Sequence, residues 1–280
     1  MPLSPSPAFS GHLSLRAAVR DHGRTVLAAQ SFRAPFHVGK SYWDPDAATL
    51  VVQVVNPTAG ILAGDRLESH IAVDPGAALL VTTPSASRVF TMRDGDAASV
   101  QTFAVADDGW LEVLPEPLVP HRGSRFHQRT VVDVAPAGGL FFVDQLVAGR
   151  IGHGEAWGWD RLRLDLTVRI AGELVLRERF DQSGAGLRDL AALAGTGDTT
   201  CFANAIVIAP AAATASPAWL PALAALHRDG VWLGVSALRR GGWSLKIVAP
   251  DTIRLRDTLR AARAVLAAQF PRLRAETRKL

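Results

Sequence analysis

Arg161-Leu162-Arg163-Leu164-Asp165-Leu166-Thr167-Val168-Arg169-Ile170 is the stretch whose reading decides the fold. Leu162, Leu164, Leu166, Val168 and Ile170 take alternate positions, and Arg161, Arg163, Asp165, Thr167 and Arg169 fill those between. A period of two held over a whole segment is a strand with one dry face and one wet face. Outward from it, strands are expected at Leu13–Arg20, Thr25–Phe32, Thr49–Val55, Leu67–Val73, Ala78–Thr83, Ser99–Val105, Phe126–Val134 and Leu140–Val147. Asp74-Pro75-Gly76, Asp94-Gly95-Asp96 and Asp107-Asp108-Gly109 punctuate them as turns. This rhythm, without βαβ alternation or a fixed-period sequence repeat, predicts a mainly β chain: a large sandwich, barrel or solenoid-like β domain.

Helical signals come late, so two or three helices are expected in the C-terminal third. Ser216-Pro217 fits N-cap and N1 positions ahead of Trp219, Leu223 and Leu226, with Gly230 as the stop. Asp251 or Thr252 can cap a second helix, where Leu255, Leu259, Ala262 and Leu266 share one face and Arg254, Arg256, Arg260 and Arg263 cover much of the rest. Val231–Ala237 and Trp243–Ala249 read as a hairpin between the two. Residues 181–200 are Gly-rich and polar, either a loop or a short helix around Leu187–Leu193. Residues 1–10 are Pro/Ser-rich and expected to be disordered. A single domain over 1–280 is expected.

Composition excludes several classes. Of 280 residues, 48% are hydrophobic and 20% charged, enough to bury an ordinary core. No apolar run is long enough to span a bilayer, and the N-terminus lacks the basic and apolar regions of a signal peptide. With one cysteine, Cys201, neither an internal disulfide nor a thiolate zinc cluster can form, and a cytoplasmic location is the simplest expectation. Net charge is +4. Asp and Glu are mixed among the Arg throughout, which argues against a nucleic-acid partner. The small-residue turn Asn56-Pro57-Thr58-Ala59-Gly60-Ile61-Leu62-Ala63-Gly64-Asp65 has no Lys-Ser/Thr after its second Gly, so it is not a phosphate loop. Strands on both sides argue against a dinucleotide fingerprint. The eight His form no H-x-x-x-H pair, and no G-x-S-x-G elbow is present.

The parity of the strands singles out acids. Glu178 shares a face with Leu174, Leu176 and Phe180, and Asp144 shares one with Leu140, Phe142 and Leu146. Glu112 sits between Trp110 and Leu114, and Asp65 follows the Ala63-Gly64 turn. A carboxylate on a dry face needs a partner, a cation or water. Two explanations stand: pairing with the abundant Arg, or a water-filled, acid-lined passage through the β domain. Oxygen ligands without convergent His or Cys would hold a divalent ion weakly and let it leave.

Five stretches carry a family resemblance: Asn56–Leu67 (NPTAGILAGDRL), Leu79–Arg88 (LLVTTPSASR), Leu111–Arg125 (LEVLPEPLVPHRGSR), Asp144–Glu155 (DQLVAGRIGHGE) and the strand and helix of Ser244–Leu266. Their order and spacing over nearly the whole chain resemble the UreD (UreH) family of urease accessory proteins. Ala59 and Ala63 stand where that family more often has Gly, and Ser85 replaces a commoner Gly. The tight backbone positions are therefore expected at Gly60 and Gly64.

The resemblance implies a non-catalytic accessory protein for urease maturation. It implies binding to UreF, to the nickel-carrying GTPase UreG through UreF, and to apo-urease, with nickel in transit and no stably bound cofactor or metal. Carried onto this sequence, it places Asp65, Thr83, Ser85, Asp144 and Glu178 along the nickel passage. Gly60, Gly64, Glu112, Gly149, Arg150 and Glu155 would shape its wall. The basic face of Thr252–Gln269 or the Trp219–Leu226 segment could dock UreF, against ordinary solvation or core packing.

Two rivals are carried. One is a β-solenoid carbohydrate-active hydrolase, needing two carboxylates roughly 5 or 6.5–9.5 Å apart and Trp110, Trp157 and Trp159 exposed for sugar stacking. The other is a storage metal protein using His121, His127 and His153.

Overall fold

The structure, a computed structural model, describes residues 10–193, 197–209 and 218–277. Residues 1–9 and the expected Ser216-Pro217 cap lie outside the described residues, while Ser10 opens the first strand.

From Thr49 onward the chain deals its strands alternately to two sheets. Thr49–Val55, Ala78–Thr82, Trp110–Leu114 and Gly139–Val147 lie parallel in one sheet, the second, the other being the first. Arg66–Val73, Ala97–Val105, Arg125–Val134 and Arg161–Ile170 lie parallel in the other. Each pair is one coil of a solenoid. Ser10–Val19 extends the first sheet in parallel, and Thr25–Arg33 and Glu173–Gln182 close its two edges antiparallel. The second sheet continues antiparallel through Cys201–Ile208, Gly242–Ala249 and Trp232–Ala237. The sequence shows no fixed period because the coils differ in length. The last connection carries an extra ribbon, Gly149–Arg150 against Glu155–Ala156.

The two edges of the solenoid differ. At one, tight turns stack coil on coil: Ala106 N donates to Val73 O, Ala135 N to Val105 O, and Trp110 N to Ala77 O. At the other edge the longer connections stack. Ile61 bridges Val89, and Leu118–Pro120 pairs with Ser87–Val89. Gly60 has a φ of 148°, and a Cβ there would lie 2.6 Å from Arg88 O, so the close approach of these two connections requires glycine. Gly64 likewise has a φ of 87°. The two tight positions fall on these glycines, not on Ala59 or Ala63.

Cys201–Ile208, to which the sequence reading assigns no element, is a central strand of the second sheet. It is covered on both sides, so its sequence has little of the alternation that marks a half-wet strand. Among the described residues, three α-helices follow the solenoid strands. α1, Gly184–Leu193, buries Leu187 and Ala191 against Trp157 and Trp159, which settles the alternatives for this segment in favour of helix. α2 spans only Leu220–Ala224, shorter than expected, because Val231 pairs back to Arg228 and starts the hairpin. α3, Thr252–Ala267, is capped by Asp251, whose side chain accepts from Arg254 N. Its face of Leu255, Leu259, Ala262 and Leu266 packs on the outer side of the second sheet with Trp219 and Leu223. Trp219 and Leu223 are therefore core residues. The basic face is also less complete than the pattern predicts, since Arg263 turns inward.

Candidate functional site

Between the sheets, the apolar interior is split. Leu15, Ile71, Phe103, Leu140 and Phe142 pack toward the tight-turn edge, and Leu67, Phe126, Leu146 and Leu162 toward the loop edge. A cavity of about 730 Å³ separates them. Its wall carries a polar belt. On the first sheet Ser69 and Gln101 occupy one register row and Ser99 and Gln128 the next. On the second, Asp144, Asn204 and Lys246 stand in one row across three neighbouring strands. Such a space is polar and roomy enough to hold water.

The sequence-predicted residues divide in two. Thr83, Ser85, Asp144, Glu178 and Gly60 line the cavity. Thr83 Oγ1 accepts from Glu116 N at 2.8 Å, pinning two stacked connections. Glu178 stands on the edge strand of the first sheet, opposite Leu166 and facing inward. Its Oε2 accepts from Asn204 Nδ2 at 2.8 Å, its Oε1 accepts from Lys246 Nζ, and Lys246 Nζ also donates to Asn204 Oδ1 at 2.8 Å. These three side chains form a closed ring between the sheets. Among the described residues, no hydrogen bond or ion pair holds the Asp144 carboxylate. Burial, with Glu178 nearby adding to it and Lys246 opposing, pushes Asp144 up to about 7.

The other six predicted residues are not in the wall. Asp65 is fully buried, and its Oδ2 accepts from Leu62 N and braces the turn it ends. Gly64 ties the same turn to Asp96 O. Glu112 faces the opposite side of the second sheet. There its oxygens accept from Arg263 Nε at 2.6 Å and Nη2 at 3.0 Å, and it anchors α3 instead of shaping the cavity. Burial raises the Glu112 carboxyl, and Arg263 pulls it back. Gly149, Arg150 and Glu155 form the ribbon one layer further along the loop edge. Arg150 donates to both Glu155 oxygens there, holding Glu155 below the usual carboxylate range. A Cβ on Gly149 would lie 2.6 Å from Glu155 O.

Sequence reasoning missed Asn204, Lys246, Gln101 and Gln128. The signal was present: each takes the inward parity of its strand, as Asn204 does between Phe202 and Ile206. Using it for Asn204 required recognising its strand first.

The rival site residues are dispersed. Trp110, Trp157 and Trp159 are buried in apolar clusters and offer no stacking surface. His127 pairs with Asp165 on the outer face of the first sheet, while His121 is buried against Phe90. Among the described residues, no three His, Cys, Asp or Glu side chains are placed to hold a metal ion. Among the same residues, no helix is long and apolar enough to cross a membrane.

The family model described as UreD urease accessory protein matches residues 10–279. A urease accessory protein UreD of Opitutus terrae is 61% identical over 97% of this chain and 99% of its own length. Proteins of the same name from Yersinia enterocolitica and Yersinia pseudotuberculosis are 40% and 37% identical over 54% and 61% of this chain, spanning 47% and 54% of their own lengths. With a match of this extent over the solenoid and its late helices alike, the chain belongs to the UreD family of urease accessory proteins.

Proposed function

We propose that this protein acts in urease maturation as a non-catalytic conduit in the cytoplasm. It bridges apo-urease to UreF, and to UreG through UreF, and nickel passes through the acid-lined cavity on its way to the urease active site. Family membership supports the role in urease maturation. The observation that carries the conduit is the Asp144 carboxylate, which faces a cavity roomy enough for water and, among the described residues, has no hydrogen bond or ion pair. Oxygen donors without convergent imidazole or thiolate suit a hard or borderline divalent ion that must leave again. The hydrolase reading has no comparable support, because its stacking aromatics are core residues.

The test is Asp144→Leu, which fills the cavity wall with an apolar side chain. The expected outcome is a folded variant that co-purifies with UreF and urease but activates urease more slowly. Normal activation by a folded, UreF-bound variant would sink the conduit. Loss of co-purification would show that the side chain serves assembly instead.

A further inference from the structure

The cavity mouth holds a cation of its own. Lys246 reaches across the gap between the sheets, and its ammonium is bound by one oxygen from each side, Glu178 Oε1 and Asn204 Oδ1. Asn204 Nδ2 donates back to Glu178 Oε2, so the amide is fixed with its oxygen turned toward the cation. Asp144 is the next residue in the same row. An ammonium and a divalent ion ask for the same thing here, converging oxygens, and the ammonium now has them. The charges favour exchange. Two carboxylates face one ammonium, whereas a divalent ion in its place would balance both. The other nearby cation, Arg179, is drawn to the outer face, where its Nε donates to Asp165 at 2.8 Å. The Lys246 side chain is 52% exposed, so the head can swing out on its flexible stem, and an ion pair this open to solvent is weak.

We propose that Lys246 is a tethered counter-ion masking a divalent-cation site made by Glu178, Asn204 and Asp144, so that an arriving ion displaces the ammonium and is released when it returns. The inference rests on the conduit reading for its biological purpose, but it concerns a binding property of the isolated chain. A site that excluded its own lysine would retain the ion. A site that competes with it holds the ion briefly.

The experiment is calorimetric titration of the purified full-length chain with nickel chloride at fixed pH. Lys246→Met is expected to bind one nickel ion per chain on the order of tenfold more tightly than the unaltered protein, the effect of removing a competing charge worth roughly one decade. Adding Glu178→Gln to that variant should abolish the gain, and Lys246→Arg should restore weak binding. If the lysine is only a structural tie between the sheets, Lys246→Met will melt at a lower temperature with nickel affinity unchanged, and the proposal is overturned. Should that variant not fold, Asn204→Asp adds charge to the cage with Lys246 in place. It should tighten nickel binding, and unchanged affinity again overturns the proposal. Failure here leaves urease activation by Asp144→Leu as the separate test of the conduit.

Discussion

Glu112 and Asp144 lie on neighbouring strands of one sheet, near enough in register that Glu112 pairs with Phe141, yet they face opposite sides. Glu112 points into the layer under α3 and meets Arg263 with both oxygens. Asp144 points into the space between the sheets and, among the described residues, has no ion pair. Both are acids on a dry face in the sequence. The difference teaches that dryness of a face does not give an acid its role. What decides is whether another element delivers a cation to it. α3 brings one to Glu112, whereas Lys246, in the same row as Asp144, is taken by Glu178.

The largest effect should come from breaking the paired side. Arg263→Ala leaves a buried carboxylate alone and should destabilise the protein by about 3–5 kcal/mol in urea unfolding, through loss of α3 docking. Replacing Glu112 and Arg263 together by Leu and Met should recover most of that loss, since the pair is then swapped for apolar packing. A double variant as unstable as the single one would show that Arg263 acts through Ala275 O, its other acceptor.

The unpaired side should respond with the opposite sign. Asp144 is raised from 3.8 to about 7 in the folded protein. The native state therefore holds its proton longer than the unfolded chain does. Stability falls as pH rises from about 4 to 7 and then levels. Asp144→Asn should stabilise the fold by about 2–4 kcal/mol at pH 8 and by nothing at pH 3. The check is the difference in unfolding free energy at the two pH values. An equal effect at both would mean that packing, not ionisation, is being measured.

A third carboxylate sharpens the comparison on a wet face. Asp165 accepts from His127, Arg163 and Arg179 at 3.0, 2.8 and 2.8 Å. Burial pushes its carboxyl up, but these three donors outweigh it and hold Asp165 down at about 2. Here the folded value lies below the unfolded one, so the stability it contributes is present above pH 4 and is lost as pH falls toward 2. Asp165→Asn should cost about 1–2 kcal/mol at pH 7 and little at pH 2. Thermal melts across that window would show it, and a cost independent of pH would count against the ionic explanation.

Much of the fold is legible in the chain. The alternation of Arg161–Ile170 gives both the strand and its dry side, and the same parity places Asp144 and Glu178 inward. Asp251 and the spacing of Leu255, Leu259 and Leu266 give α3. What fails does so for identifiable reasons. Apart from Asn204, Cys201–Ile208 is apolar on both faces, so its period is hard to see. Asp65 satisfies a turn amide, a local bond that no periodicity reveals. Arg263 looks like one more arginine on a basic face until its partner, far away in the chain at Glu112, is known.

The sequence by itself determined which residues alternate, which acids lack a wet face, where the last helix begins, and, through the order of its motifs, the family. Those properties depend on neighbours along the chain. Only the tertiary structure decided that the strands are dealt to two parallel sheets, that the gap between them stays open as a cavity, and which acid meets a cation. Pairing across sheets joins residues as far apart as Glu178 and Lys246, and the side of a sheet that another element covers is set by where the chain returns. Local pattern fixes the first and cannot encode the second, because a dry face looks the same in sequence whether helix or cavity lies beyond it.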